Sequence, residues 1–151
     1  MAIRLEEEFQ ELLKSLNSNG VRYLVIGGLA VVLHGYVRNT TDLDIAIADD
    51  EANADRILAA LIEFGFDVPG LNRSLFTKPN SLVRMGFEPL KVEILNYLKG
   101  VGFEDAYLRR KVVELDGLEI SLISIKDLIA NKRAVGRLLD LADAEELERR
   151  L

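Results

Sequence analysis

Two short stretches of this 151-residue chain carry residue types that could do chemistry together: Gly27-Gly28, inside an apolar run, and Asp42-Leu43-Asp44. Paired glycines after a strand let backbone amides approach a phosphate closely, and the start of a following helix adds partial positive charge, so the first stretch suits a triphosphate cradle. In the second, Leu43, Ile45 and Ile47 alternate with Asp42, Asp44, Ala46 and Ala48, the pattern of a strand whose side chains take opposite faces in turn. Both aspartates then share a face. Two carboxylates there repel each other and lose hydration, and a divalent cation between them removes both penalties. Mg²⁺ takes oxygen ligands and commonly pairs one or two carboxylates with substrate phosphates. Taken alone, Asp-Leu-Asp could also cap a turn, the lesser of the two readings.

The elements that must position these residues follow from periodicity. Leu5, Phe9, Leu12, Leu13 and Leu16 recur at helical spacing before Asn17-Ser18-Asn19-Gly20, which suits a left-handed cap. Tyr23 to Ile26 reads as a buried strand, Gly27-Gly28 as its turn and Leu29 to Leu33 as a short helix. Asp49, Asp50 and Glu51 open another helix, whose stripe Ala54, Ile57, Leu58, Leu61 and Ile62 runs to Gly65. Strands are expected at Ser81 to Phe87, Leu90 to Leu95, Lys111 to Leu115 and Leu118 to Leu122, with Asp116-Gly117 as a hairpin turn between the last two. Ser124 caps a helix to about Val135, and a last helix carries Leu138, Leu141, Ala144, Leu147 and Leu151. A small mixed sheet flanked by helices, with helices at the C-terminal end, is an α+β architecture, and with no repeat or linker residues 1–151 read as one domain.

Composition narrows the chemistry further. The chain has no cysteine, which excludes a disulfide scaffold, a thiolate zinc site and a cysteine nucleophile. His34 is the only histidine, and its expected role is a structural hydrogen bond at the end of the second helix. The longest apolar run, Tyr23 to Leu33, is far short of the roughly 20 residues that span a bilayer. The opening Met1-Ala2-Ile3-Arg4-Leu5-Glu6-Glu7-Glu8 turns acidic where a secretion signal turns apolar, so a cytoplasmic location with no membrane partner is expected. Net charge is −6, yet residues 71–137 hold twelve basic against eight acidic side chains, a locally positive window that could face a phosphate-bearing ligand.

Gly27-Gly28-Leu29-Ala30, His34-Gly35, Arg38, Thr40 and Asp42-Leu43-Asp44-Ile45 together resemble the signature of the nucleotidyltransferase fold, the DNA polymerase beta superfamily. More narrowly they resemble small bacterial nucleotidyltransferases of the abortive-infection and toxin–antitoxin toxin type. The resemblance implies that Gly27 and Gly28 hold nucleotide phosphates, with Arg38 and Thr40 beside them, and that Asp42 and Asp44 bind catalytic Mg²⁺. Two ions are implied, with Mn²⁺ as the alternative metal. It also implies a third carboxylate on a neighbouring strand. Glu93 fits that place: in Leu90-Lys91-Val92-Glu93-Ile94-Leu95 the apolar Leu90, Val92 and Ile94 face the core and Glu93 the other side, where many members carry aspartate. A second block, Ile123 to Lys132 followed by Arg137, Asp140 and Asp143, resembles the C-terminal motifs of the same proteins. On that match Lys132 contacts phosphate or the reacting nucleotide, Arg137 lends positive charge and Asp140 orients them.

The expected reaction is transfer of a nucleoside monophosphate from an NTP to an acceptor hydroxyl, with pyrophosphate leaving. By resemblance to the toxin relatives the acceptor is RNA, a tRNA end in particular; a protein or a small molecule stays open. The resemblance also implies a cognate antitoxin or other partner protein, and the short chain leaves room for a homo-oligomer to complete the cleft. The competing expectation is a partner or binding module that keeps the fold with weak or lost catalysis.

Overall fold

The structure, a computed structural model, describes residues 5–87 and 90–151. Residues 1–4, half of the opening stretch that argued against a secretion signal, lie outside the described residues, as does the side chain of Leu90, expected to face the core. In chain order the elements are α1 (Glu7–Ser18), β1 (Tyr23–Ile26), α2 (Gly27–Leu33), β2 (Asp42–Ile47), α3 (Glu51–Phe64), α4 (Ser74–Thr77), β3 (Leu82–Phe87), β4 (Leu90–Leu95), α5 (Phe103–Leu108), β5 (Lys111–Leu115), β6 (Leu118–Leu122), α6 (Ile125–Val135) and α7 (Leu138–Glu148). The six strands form one mixed sheet in the order β3-β4-β2-β1-β6-β5. β1 runs antiparallel to β2 and parallel to β6, and β2 runs parallel to β4.

Local chemistry accounts for most of these boundaries. All four residues of β1 are buried, as a central strand requires. α3 starts where the Asp50 carboxylate accepts a hydrogen bond from the Asn53 amide at 3.0 Å, and stops at Gly65 with φ +102°. Ser124 caps α6 by accepting from the Asp127 amide at 3.2 Å. Asp116 and Gly117, with φ of 52° and 80°, make the left-handed hairpin turn between β5 and β6. His34 takes its expected place just after α2, where Nε2 bonds the Ile123 carbonyl at 2.7 Å.

The core runs from Phe9, Leu12 and Leu16 of α1 through Leu24, Ile45 and Ile94 of the sheet to Leu128 and Leu147 of the last two helices. α1 packs on α3 and β6, while α2 lies against β1 and β2 and touches α6, which carries α7. No helix among the described residues is long and apolar enough to cross a membrane.

Three expectations need correction. α2 begins at Gly27 itself, so the glycine pair is the first turn of the helix and not a separate loop. The stripe expected to bury α7 is partly wrong: Leu138 is 89% exposed, Leu141 and Leu151 also face out, and the buried face runs through Asp140, Asp143, Ala144 and Leu147. Ion pairs, and not apolar contact, hold the first half of that helix. Finally, α4 and α5 were not foreseen, because elements of four and six residues are too short to show a period.

Candidate active site

Sheet register places the chemistry. Asp44 stands beside Ile26 of β1 on one side and Glu93 of β4 on the other, and Glu93 in turn stands beside Arg84 of β3. Neighbouring strands are about 4.8 Å apart, so Arg84, Glu93 and Asp44 form one row across the sheet. Asp42 pairs with Lys91 in the row below, on the same face. Asp42 and Asp44 are half-buried beside fully buried Leu43 and Ile45. The alternation read in the sequence is therefore real, with both carboxylates on the face turned away from Leu43.

Gly27 closes directly on this row. Its φ is +69°, in the left-handed region that favours glycine, and a Cβ there would lie 2.9 Å from both Cβ and Cγ of Asp44 and collide with the carboxylate itself. Only a bare backbone fits. Gly28 is similarly tight: a Cβ would meet Thr40 Oγ1 at 2.8 Å and Arg38 Nη2 at 3.1 Å. The glycine turn is thus pressed between the carboxylates and the segment that carries Arg38 and Thr40.

The opposite wall is cationic and comes from α6 and α7. Lys132, 5% exposed, directs Nζ to Asp140 Oδ1 and Asp143 Oδ2, each at 3.1 Å. Arg137 Nε donates to Asp140 Oδ2 at 2.7 Å, and Arg38 Nη2 reaches Asp143 Oδ2 at 3.0 Å from the far side of the glycine turn. Such a network is costly to desolvate and is retained only when well paired, so it fixes where these cations stand. Four buried side-chain polar atoms among the described residues have no partner, and three belong here: Asp44 Oδ1, Arg38 Nε and Asp143 Oδ1. Two of these three, Asp44 and Arg38, line the cleft itself, and unsatisfied polar atoms there suit a polar ligand.

Electrostatics follow from this crowding. Burial, then the charges of Glu93 and Asp42, push the Asp44 carboxyl up to about 7, against the pull of Lys132 and Arg137. For Asp140 burial works upward too, but the hydrogen bonds from Arg137 and Lys132 and their charges outweigh it and hold the group below the usual carboxylate range. Two acids about one cleft are thus poised oppositely.

The cleft has two lobes that share Gly27, Asp44, Lys132, Arg137 and Asp140. One, of about 480 Å³, is polar and adds Gly28, Arg38, Thr40, Thr41 and Asp42. The other, of about 390 Å³, adds Glu93 and Arg84 beneath an apolar wall of Leu82, Leu95, Tyr97 and Leu98. All ten residues singled out in the sequence as site candidates line one lobe or the other.

A hard divalent cation is tested by the donors present. Asp44 Oδ1 is buried and unpartnered, and Asp42 shares its face, so these two carboxylates fit such an ion. Glu93 does not join them: its Oε1 accepts from Arg84 Nε at 2.9 Å, and among the described residues no group of three metal-ligating side chains is assembled. Sequence reasoning missed Arg84, whose place beside Glu93 depends on strand register. It also gave no role to Asp143, which is 1% exposed and pairs both Lys132 and Arg38. The loop holding Tyr97 and Leu98 escaped as well; Asn131 Nδ2 pins it to α6 through the Lys99 carbonyl at 3.0 Å.

Comparison with known proteins agrees with this geometry. The chain is similar in structure to a protein described as a candidate nucleotidyltransferase from Thermotoga maritima, with a TM-score of 0.61, 21% identity, and 93% of this chain and 88% of that one covered. It is also similar to an antigenic nucleotidyltransferase-like protein from Paracoccidioides brasiliensis, with a TM-score of 0.55, 18% identity, and coverage of 93% and 72%. At these identities the likeness shows the fold, which is that of the nucleotidyltransferases, as expected. No curated protein matches the chain. The family described as "Nucleotidyl transferase of unknown function (DUF2204)" matches residues 5–149, nearly the whole sequence, and the chain belongs to that family.

Proposed function

We propose that the protein transfers a nucleoside monophosphate from an NTP to an acceptor hydroxyl, with a divalent cation, Mg²⁺ or Mn²⁺, at Asp42 and Asp44. The observation that carries the reading is the contact between Gly27 and Asp44, which puts a side-chain-free backbone turn against a carboxylate pair. Bound there, the cation neutralises triphosphate charge and eases departure of pyrophosphate.

The chain's own residues supply the rest. The amides of Gly27 and Gly28 seat the terminal phosphates in the polar lobe, with Arg38 and Thr40 at their side. Lys132 and Arg137 stand where the two lobes meet and offset charge as it moves from the α-phosphate to the leaving group. Asp140 and Asp143 keep Lys132 in place by two ion pairs, so that it meets the nucleotide without reorganising. The acceptor enters the lobe of Glu93 and Tyr97. The cation-rich lining supports an anionic acceptor, and RNA, a tRNA end first, is the one that the resemblance to toxin-type relatives favours; that resemblance also supports an antitoxin-like partner.

Incubation with Mg²⁺, α-labelled NTPs and total cellular RNA tests this: label should enter RNA with the wild-type chain and not with Asp44→Asn. Label entering protein instead would move the acceptor and keep the chemistry. A second reading, a catalytically silent partner module, is favoured by one observation, the capture of Glu93 by Arg84. A chain that binds no nucleotide under any metal condition supports that reading.

A further inference from the structure

Resting on the reading just given, we propose that this chain works with a single divalent ion, at Asp42 and Asp44, and that Arg84 occupies beside Glu93 the place a second ion would take. Arg84 and Glu93 are direct cross-strand partners in the antiparallel β3–β4 pair, so the cation is set beside the carboxylate by register and not by a chance rotamer. The contact is Nε to Oε1 at 2.9 Å, between a Glu93 side chain that is 26% exposed and an Arg84 side chain on the edge strand that is 71% exposed. Because Glu93 also adjoins Asp44 in the next strand, Arg84 places positive charge in the same row as both carboxylates.

Charge balance points the same way. The lobe around Glu93 is lined by three carboxylates, Asp44, Glu93 and Asp140, against four cations, Arg84, Lys99, Lys132 and Arg137. With Asp42 and Asp143, which adjoin the lobe, the carboxylates number five against these four cations, so one divalent ion at Asp42 and Asp44 already turns the balance positive before a second arrives. An isolated partly exposed ion pair would yield readily to a metal; this one sits where arriving cations are repelled. Arg84 is accordingly a positioning residue, holding Glu93 toward the acceptor lobe.

The test is the number of Mn²⁺ ions bound per full-length chain, measured by electron paramagnetic resonance of free Mn²⁺ and by calorimetry. Wild type should bind one ion. Arg84→Ala should release Glu93 and raise the number to two, Arg84→Ala with Glu93→Gln should return it to one, and Arg84→Lys, which keeps a cation on an exposed strand, should also bind one. Two ions in the wild type, or one in Arg84→Ala, overturns the proposal. A wild type that binds none overturns the proposed function beneath it, which keeps the two failures apart.

Discussion

Removing the charge of Asp44 should make the metal-free protein more stable, although the residue lies at the centre of the site. The carboxyl titrates at about 7 in the folded chain against 3.8 when unperturbed. A group whose folded value is raised contributes stability that is whole below its unfolded value and is lost as pH rises through the folded one. Between pH 5 and pH 8 the folded protein must give up this proton near 7, whereas the unfolded chain has already lost it. At about 1.4 kcal/mol per pH unit the cost reaches about 3 kcal/mol before screening, and roughly 1 to 2 kcal/mol for a half-buried group in salt. Asn has the same shape and no charge, so Asp44→Asn escapes the cost. Urea unfolding in the presence of a chelator, at pH 5 and pH 8, should show the variant gaining on wild type by that amount as pH rises, titrating groups remote from Asp44 cancelling in the difference. Saturating Mg²⁺ at pH 8 should reverse the order, since a ligand at 100 times its Kd adds about 2.7 kcal/mol to the protein that binds it. A variant less stable than wild type at pH 8 without metal, or a difference that ignores pH, refutes the reasoning.

Other consequences follow from the same geometry. Below pH 7 metal binding must displace the Asp44 proton, so Mg²⁺ affinity should rise about fivefold from pH 6 to pH 7 and about twofold more by pH 8, read by calorimetry in buffers of different ionisation enthalpy. Gly27→Ala forces a left-handed alanine, worth roughly 1 to 3 kcal/mol of strain, into the Asp44 carboxylate; nucleotide binding should vanish while circular dichroism still reports a folded chain. Lys132→Met strips both Asp140 and Asp143 of a buried partner and should cost about 3–5 kcal/mol in urea unfolding, far more than Lys99→Met at the exposed rim. Gly100→Ala, with φ +83° and a Cβ 2.7 Å from that of Ala134, should detach the Tyr97 loop from α6 and speed amide exchange over residues 96–101.

What was legible in the sequence were features whose signal is local. Alternation placed Asp42, Asp44 and Glu93 on the right faces of strands whose limits the structure repeats to within one residue, and Ser124 and Asp116-Gly117 marked their own cap and turn. What stayed hidden depends on long-range pairing. Arg84 is an ordinary strand arginine until β3 is laid against β4, and Asp143 is an ordinary helix aspartate until Lys132 of α6 and Arg38 of the segment before β2 arrive from 11 and 105 residues away in sequence. The misread face of α7 has the same origin: hydrophobic periodicity assumes that burial is apolar, and there the buried positions are acids matched to cations.

Calorimetric titration of the chain with each NTP, with and without Mg²⁺, for wild type and Asp42→Asn tests most directly whether the Gly27–Asp44 cleft is a metal-dependent nucleotide site. Saturable binding to the wild type that needs Mg²⁺ and disappears in the variant is the expected result. Binding that is indifferent to Mg²⁺ and to Asp42, or no binding of any NTP, contradicts it.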